Sequence, residues 1–313
     1  MTKKISEDKE YTSKIKSSAI FVAFILVVGT ALQTTMILFP GQVLIEAFAD
    51  EVIGSDGDDD ISTGSEDDFN IGDGGDDNID SDGGSDLNTG DDFQGDGDGG
   101  DDTIDSGDGD DFNIGDNLQG IGNGGDDTID SGDGDDINTG DNDNGEGDGG
   151  DDTIDSGDGN DQNVGDNSVG AGDGGDDRIN SGKGDDVNYG DNLGQLGGSA
   201  AGDGGDDKIN SGDGKDFNVG DNFVGGGDSG DDKIKSGKGD DQNWGDNVDS
   251  SGDGNDKINA GQGDDILTGG DGSDKFQCGS GEDDTTDYDP DEGDKATGNC
   301  EDIEKGNGKG KNK

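Results

Sequence analysis

The chain has 313 residues, with 82 Asp plus Glu against 19 Lys plus Arg, no His, 69 Gly and 22% hydrophobic residues, for a formal net charge of -63. Such a surplus of carboxylates argues against a nucleic-acid partner, because phosphates are repelled and no basic stripe is present to release counter-ions. With so little apolar surface, burial alone cannot offset the entropy of ordering the chain, so a folded form needs something more, such as a cation held by carboxylates in fixed geometry.

Residues 1–49 differ from everything that follows. Lys3, Lys4, Lys9, Lys14 and Lys16 precede the apolar run AIFVAFILVVGTALQTTMILF (Ala19 to Phe39), which predicts a hydrophobic helix ending at Pro40 and Gly41. Ala47 and Ala49 then give the small-x-small pattern expected before a signal-peptidase cut at Asp50. The segment reads as an export signal, with an uncleaved membrane anchor through residues 19–39 as the alternative, since 21 apolar residues can cross a bilayer. Either way the acidic chain lies outside, secreted or tethered at the cell surface.

From residue 54 to about 285 the chain divides into nine-residue words with Gly at the fourth place and Asp at the sixth. The sixth-place residues are Asp59, Asp68, Asp77, Asp86, Asp102, Asp111, Asp127, Asp136, Asp152, Asp161, Asp177, Asp186, Asp207, Asp216, Asp232, Asp241, Asp256, Asp265, Asp274 and Asp283. Glu66 is the one departure from Gly at the fourth place. Words pair at 9-residue spacing, and in the middle of the chain a seven-residue spacer such as GDNLQGI makes a 25-residue period. A longer spacer, GDNLGQLGGSAA, occupies 190–201, so length varies in the spacers, as expected of surface loops on a stacked frame.

At the eighth place, first words carry Ile (Ile61, Ile79, Ile104 and onward to Ile258) and second words mostly Asn (Asn70, Asn88, Asn113 and onward to Asn243). Segments such as TID and FNI between Gly-rich turns predict short strands with the eighth place on one face. Stacked in parallel, they give one isoleucine wall and one wall whose asparagines either form an amide ladder or serve turns. Phe112, Tyr189, Phe217, Phe223 and Trp244 read as exposed contacts.

The carboxylates suit calcium, a hard cation taking six to eight oxygen ligands, better than magnesium with its strict octahedron. Zinc is disfavoured, because His is absent and the two cysteines lie outside the main array. Carboxylates stacked at about 4.8 Å repel by roughly 1 to 4 kcal/mol per pair, so the metal-free chain is expected to be expanded and calcium binding to drive folding.

Words such as GGDDTID, SGDGDDFNI and AGQGDDILTGGDGSDKF resemble the glycine- and aspartate-rich nonapeptide of the RTX (repeats-in-toxin) family, GGxGxDxUx with U large and apolar. The resemblance covers residues 54 to 285. It implies an all-β fold, a right-handed parallel β-roll, with multiple calcium ions held in the turns by the twenty aspartates above and by glycine carbonyls. The chain departs from the pattern in its second-word asparagines and its spacers, and the spacers leave open a β-helix with a third, looped side. Proteins of the family commonly leave the cell on a C-terminal signal, whereas an N-terminal signal is read here.

Residues 286–304 read as a cap closing the solenoid of residues 50–285, and 305–313 as a basic flexible tail. In an oxidising compartment Cys278 and Cys300, the only cysteines, are expected to form a disulfide. No residues remain for a catalytic domain, and neither a nucleophile elbow nor a phosphate loop is present, so an enzyme is not expected. The sequence reads as a non-catalytic scaffold, adhesin or matrix component, with calcium as ligand and a surface polymer or surface protein as further partner. The alternative is an extracellular calcium buffer or mineral-interacting protein. An ice-binding face is disfavoured, because the outward places carry no flat Thr array.

Overall fold

The computed structural model describes residues 37–39, 42–44, 51–91, 97–117, 122–142, 147–167, 172–192, 202–223, 227–248, 253–281, 284–300 and 302–303, the first two segments and the last through their backbone alone. The chain divides into two units, Met1–Ala49 and Asp50–Lys313. In the first, Ile37–Phe39 and Gln42–Leu44 form a two-stranded antiparallel sheet. The hydrophobic helix expected over the apolar run is therefore not formed at its C-terminal end, where Ile37–Phe39 is a strand. Residues 19–36 and the expected cleavage site lie outside the described residues. No helix among the described residues is long and apolar enough to cross a membrane.

The second unit is all-β. Strands of the first words build one parallel sheet of eleven strands, from Asp60–Ser62 to Lys295–Thr297, and strands of the second words a parallel sheet of twelve, from Glu51–Ile53 to Asp302–Ile303. The chain visits the two sheets in alternation, and each strand pairs with the strands one coil before and after, as Thr128–Asp130 does with Thr103–Asp105 and Thr153–Asp155. Residues assigned to the cap contribute Lys295–Thr297 to one sheet and Asp302–Ile303 to the other, so the coils continue through them.

Most strands are three residues long, and alternation turns the middle one inward. In the first-word sheet this buries Ile61, Ile79, Ile104 and their successors to Ile258, all at most 5% exposed, in one continuous column. In the second-word sheet it buries the asparagines, and here the amide ladder is realised. Asn113 donates one Nδ2 hydrogen to Asn138 Oδ1 at 2.9 Å and the other to Ser106 Oγ at 3.0 Å, and Asn138 and Asn163 repeat both bonds. Both donors and the acceptor of these three amides are thus satisfied, which lets a polar column occupy the interior with little desolvation penalty, the acceptor of Asn70 at the column's start being left without a partner.

Coil length has no effect on this geometry. The ladder bond is 2.9 Å across 18 residues (Asn70 to Asn88), 25 residues (Asn138 to Asn163) and 30 residues (Asn188 to Asn218). The outer face of the second-word sheet is covered as well. Tyr189, Phe217 and Phe223 are buried and Phe112 and Trp244 half-buried, against the expectation that these aromatics are exposed. Phe223, the first spacer residue after the GDN triplet, lies 5.3 Å from the Tyr189 ring and 5.9 Å from that of Phe217, so this side chain packs on what these two strands turn outward. The first-word sheet keeps its outer face open. At its far end the inner columns turn apolar, with Leu267, Phe276 and Ala260 packed beside the Cys278–Cys300 disulfide, whose Cα atoms are 5.3 Å apart.

Candidate metal centre

The sixth-place aspartates fall into two columns, one at each turn of the roll. Asp59, Asp77, Asp102, Asp127, Asp152, Asp177, Asp207, Asp232, Asp256 and Asp274 stand where the chain enters the first-word sheet. Asp68, Asp86, Asp111, Asp136, Asp161, Asp186, Asp216, Asp241 and Asp265 stand where it enters the second-word sheet. In both, the backbone N–H of each aspartate donates to Oδ1 of the aspartate one coil on, as Asp102 does to Asp127 at 2.6 Å and Asp111 to Asp136 at 2.9 Å. Asp274 hands on to Asp294 at 3.0 Å. Asp283 lies outside the described residues, and its expected place in the second column is held by Asp284, which accepts the N–H of Asp265 at 3.0 Å.

Since Oδ1 is consumed by the frame, the chemistry rests with Oδ2, which is buried and accepts no hydrogen bond in either column, from Asp77 to Asp274 in the first and from Asp86 to Asp265 in the second. The turns differ in what this oxygen faces. In the first-word column it faces a third column that the nine-residue reading did not single out, the aspartate of each GDN triplet, Asp116, Asp141, Asp166, Asp191, Asp221 and Asp246, preceded by Asp91 of the equivalent GDD at 90–92. These are held by the fourth-place glycine of the next first word, whose N–H donates to the carboxylate, as Gly125 does to Asp116 Oδ2 at 3.1 Å and Gly175 to Asp166 Oδ1 at 3.0 Å. The glycine that opens each triplet is required by close approach, because a Cβ on Gly115 would strike both the Gly140 carbonyl and the Asp127 carboxylate.

The two columns interleave into four clusters, Asp91/Asp102/Asp116, Asp116/Asp127/Asp141, Asp141/Asp152/Asp166 and Asp166/Asp177/Asp191. All members are buried, and in each cluster one oxygen from every carboxylate lies within 4.8 Å of the others. Asp116, Asp141 and Asp166 each belong to two clusters, so the oxygens form a continuous file along the stack. The signal was present in the sequence, since GDN recurs at 115–117, 140–142, 165–167, 190–192, 220–222 and 245–247. Its place in the variable spacer concealed it.

Burial pushes the Asp102 carboxyl up to about 9, with the charges of Asp91 and Asp116 adding to the shift. Burial likewise drives Asp127, Asp141, Asp152 and Asp166 well above the ordinary carboxylate range, reinforced by their neighbours in the file. In the second-word column a serine hydroxyl stands beside each carboxyl from Asp86 to Asp241 and offsets part of the burial effect. Asp111, beside Ser106, is raised to about 7, and Asp161, beside Ser156, to about 6. The file of paired columns therefore resists ionisation most and gains most from a cation. Its donors are hard oxygens without nitrogen or sulfur, and its unpartnered Oδ2 atoms are already buried, a set that fits a calcium ion and not a soft metal.

Four segments, residues 46–69, 227–249, 243–276 and 250–284, match the RTX calcium-binding nonapeptide repeat. The chain carries RTX calcium-binding repeats. No curated protein and no solved structure matches significantly. The RTX segments matched lie toward the two ends of the roll, where words follow one another with fewer spacers. The four carboxylate clusters lie between them, in the coils lengthened by GDN spacers.

Proposed function

We propose that this RTX-repeat protein is an exported, secreted or cell-surface scaffold, adhesin or matrix component without catalytic activity, folded by extracellular calcium. The observation that supports this reading is the file of buried, unpartnered carboxylate oxygens running through the turns that enter the first-word sheet. A coil there contributes one first-word and one GDN carboxylate, two negative charges, which one divalent ion neutralises. A row of like charges at this spacing cannot stay ionised and dry without such a counter-charge, so ion binding and folding are the same event.

Far-UV circular dichroism and the hydrodynamic radius, followed during calcium titration, test this. A cooperative gain of β-structure with compaction at millimolar calcium, reversed by EDTA and not reproduced by magnesium, is the expected result. Ion uptake without a folding transition would assign the chain to the calcium buffers instead.

A further inference from the structure

The open face of the first-word sheet is divided by charge sign. Its outward seventh places are stacked in register. From the sixth strand onward they carry Arg178, Lys208, Lys233, Lys257, Lys275 and Lys295, one cation per coil without interruption. All six are exposed. Over the same strands the outward ninth places are Asn180, Asn210, Lys235, Asn259, Gln277 and Thr297, so this half of the sheet presents no acid at all. The other half is its inverse. Asp80, Asp105, Asp130 and Asp155 stack at the ninth place beside Thr103, Thr128 and Thr153 at the seventh, with no cation among them.

In a chain of net charge -63 a one-sign cationic ladder is not a by-product of composition. Like charges repeated at about 4.8 Å repel one another, so the ladder opposes its own stacking unless something answers it. Among the described residues nothing does. Ion pairs join Lys183 to Asp158 and Lys238 to Asp213 on the adjoining turn, but among the described residues none involves the six ladder cations. Among the described residues no cation pairs with the acid column either, whose last member Asp155 accepts the neutral Asn180 amide at 2.9 Å, and burial together with the charges of Asp105 and Asp155 raises the Asp130 carboxyl.

We infer that this sheet is the docking face for a second copy of the same chain, laid face to face and antiparallel, with the cationic half of each copy over the acidic half of the other. A two-fold axis along the strand direction produces this arrangement and uses both halves twice, the self-complementary contact of an isologous dimer. A linear polyanion would engage the cations alone and would meet repulsion from the other half of the sheet. Eleven strands of three residues present a strip of about 50 by 10 Å, or roughly 1,000 Å² over both copies, at the small end of specific interfaces. The contact is therefore weak and salt-dependent, and at physiological ionic strength the screening length of about 8 Å mutes the repulsion between the distant acidic turns. The interface needs the folded sheet and so rests on the calcium reading, but dichroism in the same buffer separates a failure to fold from a failure to dock.

Sedimentation equilibrium of the full chain in calcium, with two charge-swapped variants, provides the test. Lys208→Glu/Lys233→Glu/Lys257→Glu and Asp105→Lys/Asp130→Lys/Asp155→Lys should each fold and each dimerise about tenfold or more weakly than wild type. An equimolar mixture of the two should recover the dimer, because each variant then answers the other, and association through residues 1–49 would not give that rescue. Folded wild-type protein that stays monomeric overturns the inference, as do variants that associate like wild type or a mixture that fails to recover. Capture of a soluble polyuronate by the cationic half of a monomeric protein overturns it as well, in favour of a polymer ligand.

Discussion

The two turns of the roll use the same word and the same Oδ1 hydrogen bond, yet they differ in what lies opposite Oδ2. At the turn entering the second-word sheet a serine hydroxyl stands beside the carboxylates from Asp86 to Asp241. At the turn entering the first-word sheet a second carboxylate stands there. The first arrangement contains its own partial remedy for burying a charge, whereas the second sets like charges together and gains most from an added cation. An identical motif thus builds a frame on one side and an ion file on the other, and the deciding residue lies outside the motif.

The largest expected effect is removal of calcium itself. Chelation should abolish the β-signal and at least double the hydrodynamic radius, since an unfolded chain of this length is far larger than a compact one. Next is pH in the absence of metal. The folded carboxyls titrate above the ordinary aspartate value of 3.8, from about 6 at Asp161 to about 9 at Asp102. The folded chain therefore holds protons that the unfolded chain releases, and stability is greatest below 3.8 and is lost as pH rises through about 6 to 9. Dichroism in EDTA should accordingly show structure gained on acidification.

The two turns can also be set against each other directly. Asp141 belongs to two clusters and Asp136 to none. Asp141→Asn should raise the calcium concentration at the folding midpoint about tenfold, equivalent to about 1.4 kcal/mol, and Asp136→Asn should raise it markedly less, as read from parallel calcium titrations. The smallest change is Ser131→Ala, which removes the hydroxyl that takes the Asn138 amide at 3.0 Å. A loss of about 1 kcal/mol in urea unfolding with calcium present, without a change in calcium stoichiometry, is expected.

The frame was almost wholly legible in the residues. The strict nine-residue register placed Ile104 and Asn113 on opposing inner walls, because a strand alternates its side chains and a stack repeats them. Beyond the strands, legibility ended where contacts depend on chain passing outside the repeat. Tyr189 and Phe217 are exposed by strand alternation alone and are buried with Phe223, a spacer residue, packed against both rings. The role of Asp116 and Asp141 was hidden for the same reason, since their partners belong to the next coil's first word. The one-residue shift from Asp283 to Asp284 arises where the last word runs into the closing segment and the fixed Gly-to-Asp interval no longer sets the register.

The indifference of the asparagine ladder to coil length has a consequence of its own. Bonds of 2.9 Å span 18, 25 or 30 residues, so adjoining coils recognise one another and not the intervening chain. Excising residues 126–150 would bring Asn113 beside Asn163 and Ile104 beside Ile154, like against like. Such a molecule behaves as a measuring rod marked in whole coils: insertions or losses of a repeat alter its reach by about 4.8 Å each and leave every remaining joint as it was.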